Sequence, residues 1–118
     1  MTHSQLALIT GATSGIGREL AYILADKGFS LCLTGRNENA LQKIKNDLGH
    51  KVPVDIVQCD LANPQERTLL VDLIRIKVPD IVINNAGFGT YGRILAYDMT
   101  TQMEMLEVMV KSVLELTY

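Results

Sequence analysis

No cluster of lysine and arginine occurs anywhere in this 118-residue sequence, and its formal net charge is only −2. The electrostatic footprint that nucleic acid or an anionic lipid surface requires is therefore missing, and neither is expected as a partner. Long apolar runs are missing too. The opening Met1-Thr2-His3-Ser4-Gln5 leads into an apolar stretch too short and too poorly flanked for a secretory signal, and no run approaches a membrane span. A cytoplasmic chain without membrane contact is the expectation. Cysteine is scarce: Cys32 and Cys59 sit in apolar, strand-like runs with no Cys-x-x-Cys or histidine spacing, which predicts buried thiols rather than ligands or a disulfide. The two histidines, His3 near the terminus and His50 after a helix-ending glycine, are expected in solvent, and the carboxylates fall on polar helix faces without histidine at ligand spacing. No metal site is expected.

What is present is an apolar content of 47% with 20% charged residues, enough for one cored domain and too apolar for disorder. No linker, repeat or low-complexity segment divides residues 1–118. Periods of two and 3.6 residues alternate through four β-α units. The first strand is predicted over Leu6–Thr10, followed by a helix presenting Ile16, Leu20, Ile23 and Leu24 and ended by Gly28. A second strand, Ser30–Thr34, leads through Gly35-Arg36-Asn37 to a helix with Leu41, Ile44 and Leu48 on one side. A third strand, Val54–Gln58, precedes a helix opened by Asn63-Pro64-Gln65-Glu66, with a capping Asn, Pro at the first helical position and Glu at the third. Leu69, Leu70, Leu73 and Ile74 are its expected buried face. A fourth strand, Asp80–Asn84, is followed by a glycine-bearing loop and a last helix from about Thr101 onward.

Strands apolar on both faces, alternating with helices, predict an α/β fold: a Rossmann-type parallel sheet in the order 3-2-1-4, flanked by helices. Ligands bind such sheets beyond the carboxyl ends of the strands, where the order reverses, here between strands one and four. Two loops fall there: the glycine-rich Thr10-Gly11-Ala12-Thr13-Ser14-Gly15-Ile16-Gly17 and the segment Asn84-Asn85-Ala86-Gly87. Glycines in the first would let backbone N–H groups approach a pyrophosphate at the positive end of the following helix. Their plainer reading is tight turning and close helix packing. A phosphate loop of the nucleoside triphosphatase kind is excluded, because the helix opens with Gly17-Arg18-Glu19 and offers neither the lysine nor the following hydroxyl.

With Thr-Gly-x-x-x-Gly-x-Gly at 10–17, Cys59-Asp60-Leu61 after the third strand and Asn84-Asn85-Ala86-Gly87 after the fourth, the sequence resembles the short-chain dehydrogenase/reductase family over essentially its whole length. The resemblance implies a dinucleotide-binding role for Gly11, Thr13, Ser14, Gly15, Ile16 and Gly17. It implies that Asp60, with Leu61 beside it, hydrogen-bonds the adenine amine, and that Asn85, Ala86 and Gly87 wall the adenine ribose. Asp60 has a plainer role open to it as the cap of the turn after its strand. At the end of the second strand, where an acidic residue accepts the ribose hydroxyl of NAD, this chain has Gly35 followed by Arg36. A guanidinium pairs bidentately with phosphate, so NADP is the expected cofactor and NAD the less favoured one.

The family's proton-transfer pair, a tyrosine and a lysine four residues later, has no counterpart in this sequence. Tyr22, Tyr91 and Tyr97 are followed at that spacing by Asp26, Leu95 and Thr101, and Tyr118 is the last residue. The resemblance places that pair beyond Tyr118, so no catalytic residue is assigned and the chain alone is expected to be inactive. The asparagine that the family carries in the helix after the fourth strand is matched by Met109, and a thioether cannot replace its amide. That helix, 101–118, has two apolar faces: Met103, Leu106, Val110, Val113 and Leu114 on one, and Met105, Val108, Met109, Ser112 and Leu116 on the other. Too little of it is polar for an isolated monomer, so a homodimer or a partner chain is expected through it. Three readings follow: the cofactor-binding half of an NADP-dependent oxidoreductase acting on a carbonyl or alcohol, a non-catalytic dinucleotide-binding module, and a heteromeric subunit.

Overall fold

A computed structural model describes residues 5–86 and 99–117 of the chain. The elements run β1 (Leu6–Thr10), α1 (Gly15–Asp26), β2 (Ser30–Gly35), α2 (Glu38–Leu48), β3 (Val54–Gln58), α3 (Pro64–Lys77), β4 (Ile81–Ile83), α4 (Met99–Leu106), a π turn (Glu107–Lys111) and α5 (Ser112–Thr117). The four strands form one parallel sheet in the order β3-β2-β1-β4, as the alternation of strands and helices predicts. Register pairs Leu8 with Cys32 on one side and with Val82 on the other. Alternation sends Ala7, Ile9, Leu31, Leu33 and Val54 into a core with Ala21 and Ala25 of α1 and Leu41, Ile44 and Leu48 of α2. On the opposite face, Val57 and Cys59 meet Leu70 of α3 and Val108 and Leu116 of the last helical segment.

The helix starts follow local chemistry. Asn37 Oδ1 accepts from the Ala40 N–H at 3.1 Å, and Asn63 Oδ1 accepts from Gln65 and Glu66 at 2.9 and 3.3 Å, with Pro64 at the first helical position. Strand β4 is shorter than the expected Asp80–Asn84. Before it, Asp80 folds its carboxylate onto the Leu6 N–H at 2.8 Å; after it, Asn85 N–H turns back to the Ile83 carbonyl at 3.0 Å, a three-residue turn that ends pairing.

Three helix faces differ from expectation. In α1 the buried stripe is Gly17, Ala21 and Ala25, with Leu20 and Leu24 half-buried beside it, while Ile16 is 72% and Ile23 48% exposed. Small residues at i, i+4 and i+8 let the helix axis come down onto the sheet, and that rotates Ile16 and Ile23 away by one position, roughly 100°. In α3, Leu70 is buried and Ile74 packs on the core, but Leu69 is 71% exposed and the inward place two residues earlier belongs to Arg67. Of the last helix, Val108, Ser112 and Leu116 are buried; Met109, expected on the same face, is exposed with Met103, Leu106, Val110 and Leu114. The π turn inserts a register shift at that point.

Candidate functional site

A cleft of about 890 Å³ opens beyond the carboxyl ends of the strands. Gly11, Thr13, Ser14, Arg36, Asp60, Leu61, Asn85 and Ala86 line it, joined by Glu104 and Val108 from the last helical segment. Gly15, Ile16 and Gly17, expected at the site with them, do not line it, and Gly87 lies outside the described residues, as do His3, Tyr91, Tyr97 and Tyr118.

The two loops at the switch point are laced together by one buried hydroxyl. Thr10 Oγ1 accepts from the N–H groups of Asn85 and Ala86, each at 3.0 Å, and donates to the Ile83 carbonyl at 3.4 Å. Asn85 Nδ2 donates to the Gly11 carbonyl at 3.1 Å. This crossing leaves no room for side chains. A Cβ on Gly11, whose φ is +62°, would lie 2.8 Å from Ala86 Cα, and one on Gly17 would lie 2.5 Å from Asn85 Nδ2 and against the Gly11 carbonyl. Gly15, at φ +58°, faces open space, so it is needed for its backbone conformation and not for clearance. The loop is also tied to β2: Ala12 N–H donates to the Thr34 carbonyl at 3.2 Å, and a Cβ on Gly35 would meet Thr13 Cγ2 at 2.9 Å.

At the β2 end, Gln58 Nε2 holds the Arg36 carbonyl at 3.1 Å, while the exposed Arg36 guanidinium has no hydrogen-bond or ion-pair partner among the described residues. At the β3 end, Asp60 makes the turn read from sequence as its plainer role: Oδ1 accepts from Ala62 N–H at 3.0 Å, and its own N–H donates to Glu66 Oε1 at 3.3 Å. Glu66 therefore reaches back to Asp60. The second carboxylate oxygen of Asp60 has no partner among the described residues.

Cys59, on the cleft wall, and Cys32 are both buried and free, as expected. Burial, reinforced by neighbouring carboxylates, pushes each thiol up to about 11, so neither offers a thiolate near neutral pH. Tyr22 is engaged elsewhere: its hydroxyl donates to Asp47 at 2.9 Å across α1 and α2, with the Arg18 guanidinium 5.9 Å over its ring. Hydrogen bonding to Asp47, then burial, raises its pKa, the wrong direction for a proton-transfer base. His50 is exposed. Among the described residues no group of His, Cys, Asp and Glu is placed to hold a metal, and no helix is long and apolar enough to cross a membrane.

Sequence reasoning passed over Thr10 as a site-building residue, although a hydroxyl ending a buried strand next to a glycine loop is a legible signal. It also passed over Glu104 and Val108, whose approach to the cleft depends on how the last helix docks.

A parallel sheet in this order, with a glycine loop crossing at its switch point and a cleft above, defines a Rossmann-type α/β protein. The chain belongs to the short-chain dehydrogenase family, whose profile matches residues 5–118. It is 34% identical over 112 residues to an uncharacterized oxidoreductase of Staphylococcus aureus (strain MW2), a match covering 93% of this chain and 48% of that protein. It is 38% identical over 91 residues to the uncharacterized oxidoreductase YohF of Escherichia coli (strain K12), covering 74% of this chain and 36% of the relative. Among solved structures it resembles the bulky-bulky ketone specific alcohol dehydrogenase from Comamonas testosteroni, with a TM-score of 0.92 at 28% identity, over 98% of this chain and 49% of that one. L-sorbose reductase from Gluconobacter frateurii, complexed with NADPH and L-sorbose, gives 0.87 at 30% identity, over 97% and 45%. The chain thus spans about half the length of the proteins it matches.

Proposed function

We propose that this chain is one domain that supplies the NADP-binding half of an oxidoreductase transferring hydride between the nicotinamide and a carbonyl or alcohol. The observation that carries the reading is the cleft itself: two loops laced by Thr10 and Asn85 so tightly that Gly11 and Gly17 tolerate no Cβ, with Arg36, unpaired among the described residues, at its β2 edge. These residues fit a dinucleotide. The Gly11–Gly17 loop would hold the pyrophosphate through backbone N–H groups and the α1 terminus. Arg36 would take the 2′-phosphate in place of the acidic residue that suits NAD. The Asp60 oxygen that has no partner among the described residues would accept from the adenine amine, and Asn85 with Ala86 would wall the ribose. Solved relatives in complex with NADPH, among them the L-sorbose reductase and a short-chain dehydrogenase from Sphingobium yanoikuyae, support that choice of cofactor.

When bound, the cofactor would supply or accept the hydride. This chain's residues orient it and contribute no proton-transfer pair, so turnover requires a tyrosine and lysine from outside residues 1–118. The exposed stripe of Met103, Leu106, Val110 and Leu114, together with a β4 paired only to β1 among the described strands, favours a covering partner, either a second copy or a chain completing the fold. If none is needed, the chain serves as a non-catalytic dinucleotide-binding module. Amide chemical shifts on addition of NADPH test the site: movement concentrated at Gly11, Thr13, Arg36, Asp60 and Ala86 is expected, and shifts scattered elsewhere would reject it.

A further inference from the structure

Arg67 is 2% exposed, yet it sits in the inward row of α3, where an apolar residue would be expected. Four of its donor directions are used. Nε and Nη2 reach the two oxygens of Glu115 at 2.9 and 3.3 Å, and Nη1 reaches Glu107 Oε2 at 2.6 Å and the Leu61 carbonyl at 2.8 Å. The partners come from three separate places: the turn after β3, the π turn and α5. A buried guanidinium of this kind is costly unless every partner is in position, so it converts a small displacement of any one into a loss for all.

The π turn explains how both carboxylates reach one guanidinium. Eight residues of α-helix at ~100° each overshoot two full turns by ~80°, which would carry Glu115 off the side that Glu107 occupies. Closing i to i+5 spends about one additional residue per turn and absorbs most of that overshoot. Glu107 and Glu115 then face α3 together, with Val108 and Leu116 packed beside them.

Both sides of this clamp touch the cleft. Leu61, whose carbonyl Arg67 holds, lines it beside Asp60; Glu104 and Val108, flanking Glu107, line it from the other side. Resting on the dinucleotide reading of the cleft, we propose that Arg67 is a positioning residue: its guanidinium sets the spacing between the Asp60–Leu61 turn and the helical segment 99–117, so that dinucleotide binding and docking of that segment are coupled.

The test uses the full chain with Glu107→Gln and Glu115→Gln together, which keep side-chain shape while removing both charges that Arg67 engages. NADPH affinity, measured by calorimetry, is expected to fall at least about fivefold. Coupling has a second signature that mere structural support lacks: NADPH should slow amide hydrogen exchange across residues 104–116 of the unmodified chain, and this protection should vanish in the double variant. Should that variant not fold, Glu115→Gln alone carries the same test, since that carboxylate is 46% exposed. Lowered thermal stability with unchanged NADPH affinity and intact NADPH-induced protection would overturn the proposal. An unmodified chain that fails to bind NADPH would instead remove the dinucleotide reading on which it rests.

Discussion

Replacing Gly17 by alanine separates the crossing of loops at the cleft from ordinary helix energetics. Gly17 lies inside the first turn of α1, where alanine at an unconstrained site gains about 0.5–1 kcal/mol over glycine. Here the new methyl would come within 2.5 Å of Asn85 Nδ2 and press on the Gly11 carbonyl, the two groups joined by the 3.1 Å hydrogen bond that holds the loops together. Overpacking in a tight interior costs about 1–3 kcal/mol. Losing the hydrogen bond adds about 0.5–1.5 kcal/mol. Set against the propensity gain, these terms predict a net loss of about 0.5–4 kcal/mol. Gly15→Ala is the control: its Cβ meets nothing within 4 Å, so only the φ of +58° opposes it, at a cost of about 1–2 kcal/mol without disturbance of Asn85. Urea unfolding of both variants gives the stabilities, and the Asn85 side-chain amide resonances report whether its bond to Gly11 survives. A Gly17→Ala chain as stable as the parent, with those resonances unmoved, would refute the close approach.

Other sites make independent predictions. Val78 ends α3 with φ +48°, a left-handed conformation that a β-branched residue adopts at a cost, and its side chain is 71% exposed. Val78→Gly is therefore expected to raise stability by about 0.5–1 kcal/mol in thermal unfolding, the relief of strain exceeding the glycine entropy. Cys32 and Cys59, pushed up to about 11, retain protons in the folded chain at pH values where an unfolded thiol has lost them. Their contribution is complete below the unfolded value and is lost as pH rises toward 11, so the denaturation midpoint should drop over that window. A Cys32→Ala/Cys59→Ala chain should show a shallower drop; an identical slope in both would count against burial of the thiols.

The parts of this fold that were legible in the sequence are those governed by local rules. Leu6–Thr10 and Val54–Gln58 show themselves as short apolar strands, and Asn63-Pro64 and Gly28 as helix boundaries, because each signal acts through its own backbone. The strand order follows from parallel pairing with helical crossovers. The inward face of α1 was less legible, since hydrophobicity points to Ile16 and Ile23, whereas the close descent onto the sheet selects Gly17, Ala21 and Ala25. Arg67 was illegible for a similar reason. Its charge reads as a solvated face, and only the tertiary arrival of Glu107 and Glu115, 40 and 48 residues away in sequence, makes its burial tolerable. The π turn that delivers them carries no simple composition signal. Of the cleft, the glycine loop and Arg36 were visible, while the crossing by Thr10 and the approach of Glu104 depend on strands and helices meeting in space.

We propose that the cleft takes a dinucleotide whose 2′-phosphate is read by Arg36. Isothermal titration of the chain with NADPH and with NADH, repeated on Arg36→Ala, tests it most directly. A charge-assisted, bidentate contact contributes about 1.5–3 kcal/mol, so NADPH should bind roughly ten- to a hundredfold more tightly than NADH. The substitution should erase that difference by weakening NADPH while leaving NADH nearly unchanged. Equal affinities for the two cofactors in the unmodified chain, or a preference that survives Arg36→Ala, would contradict the account.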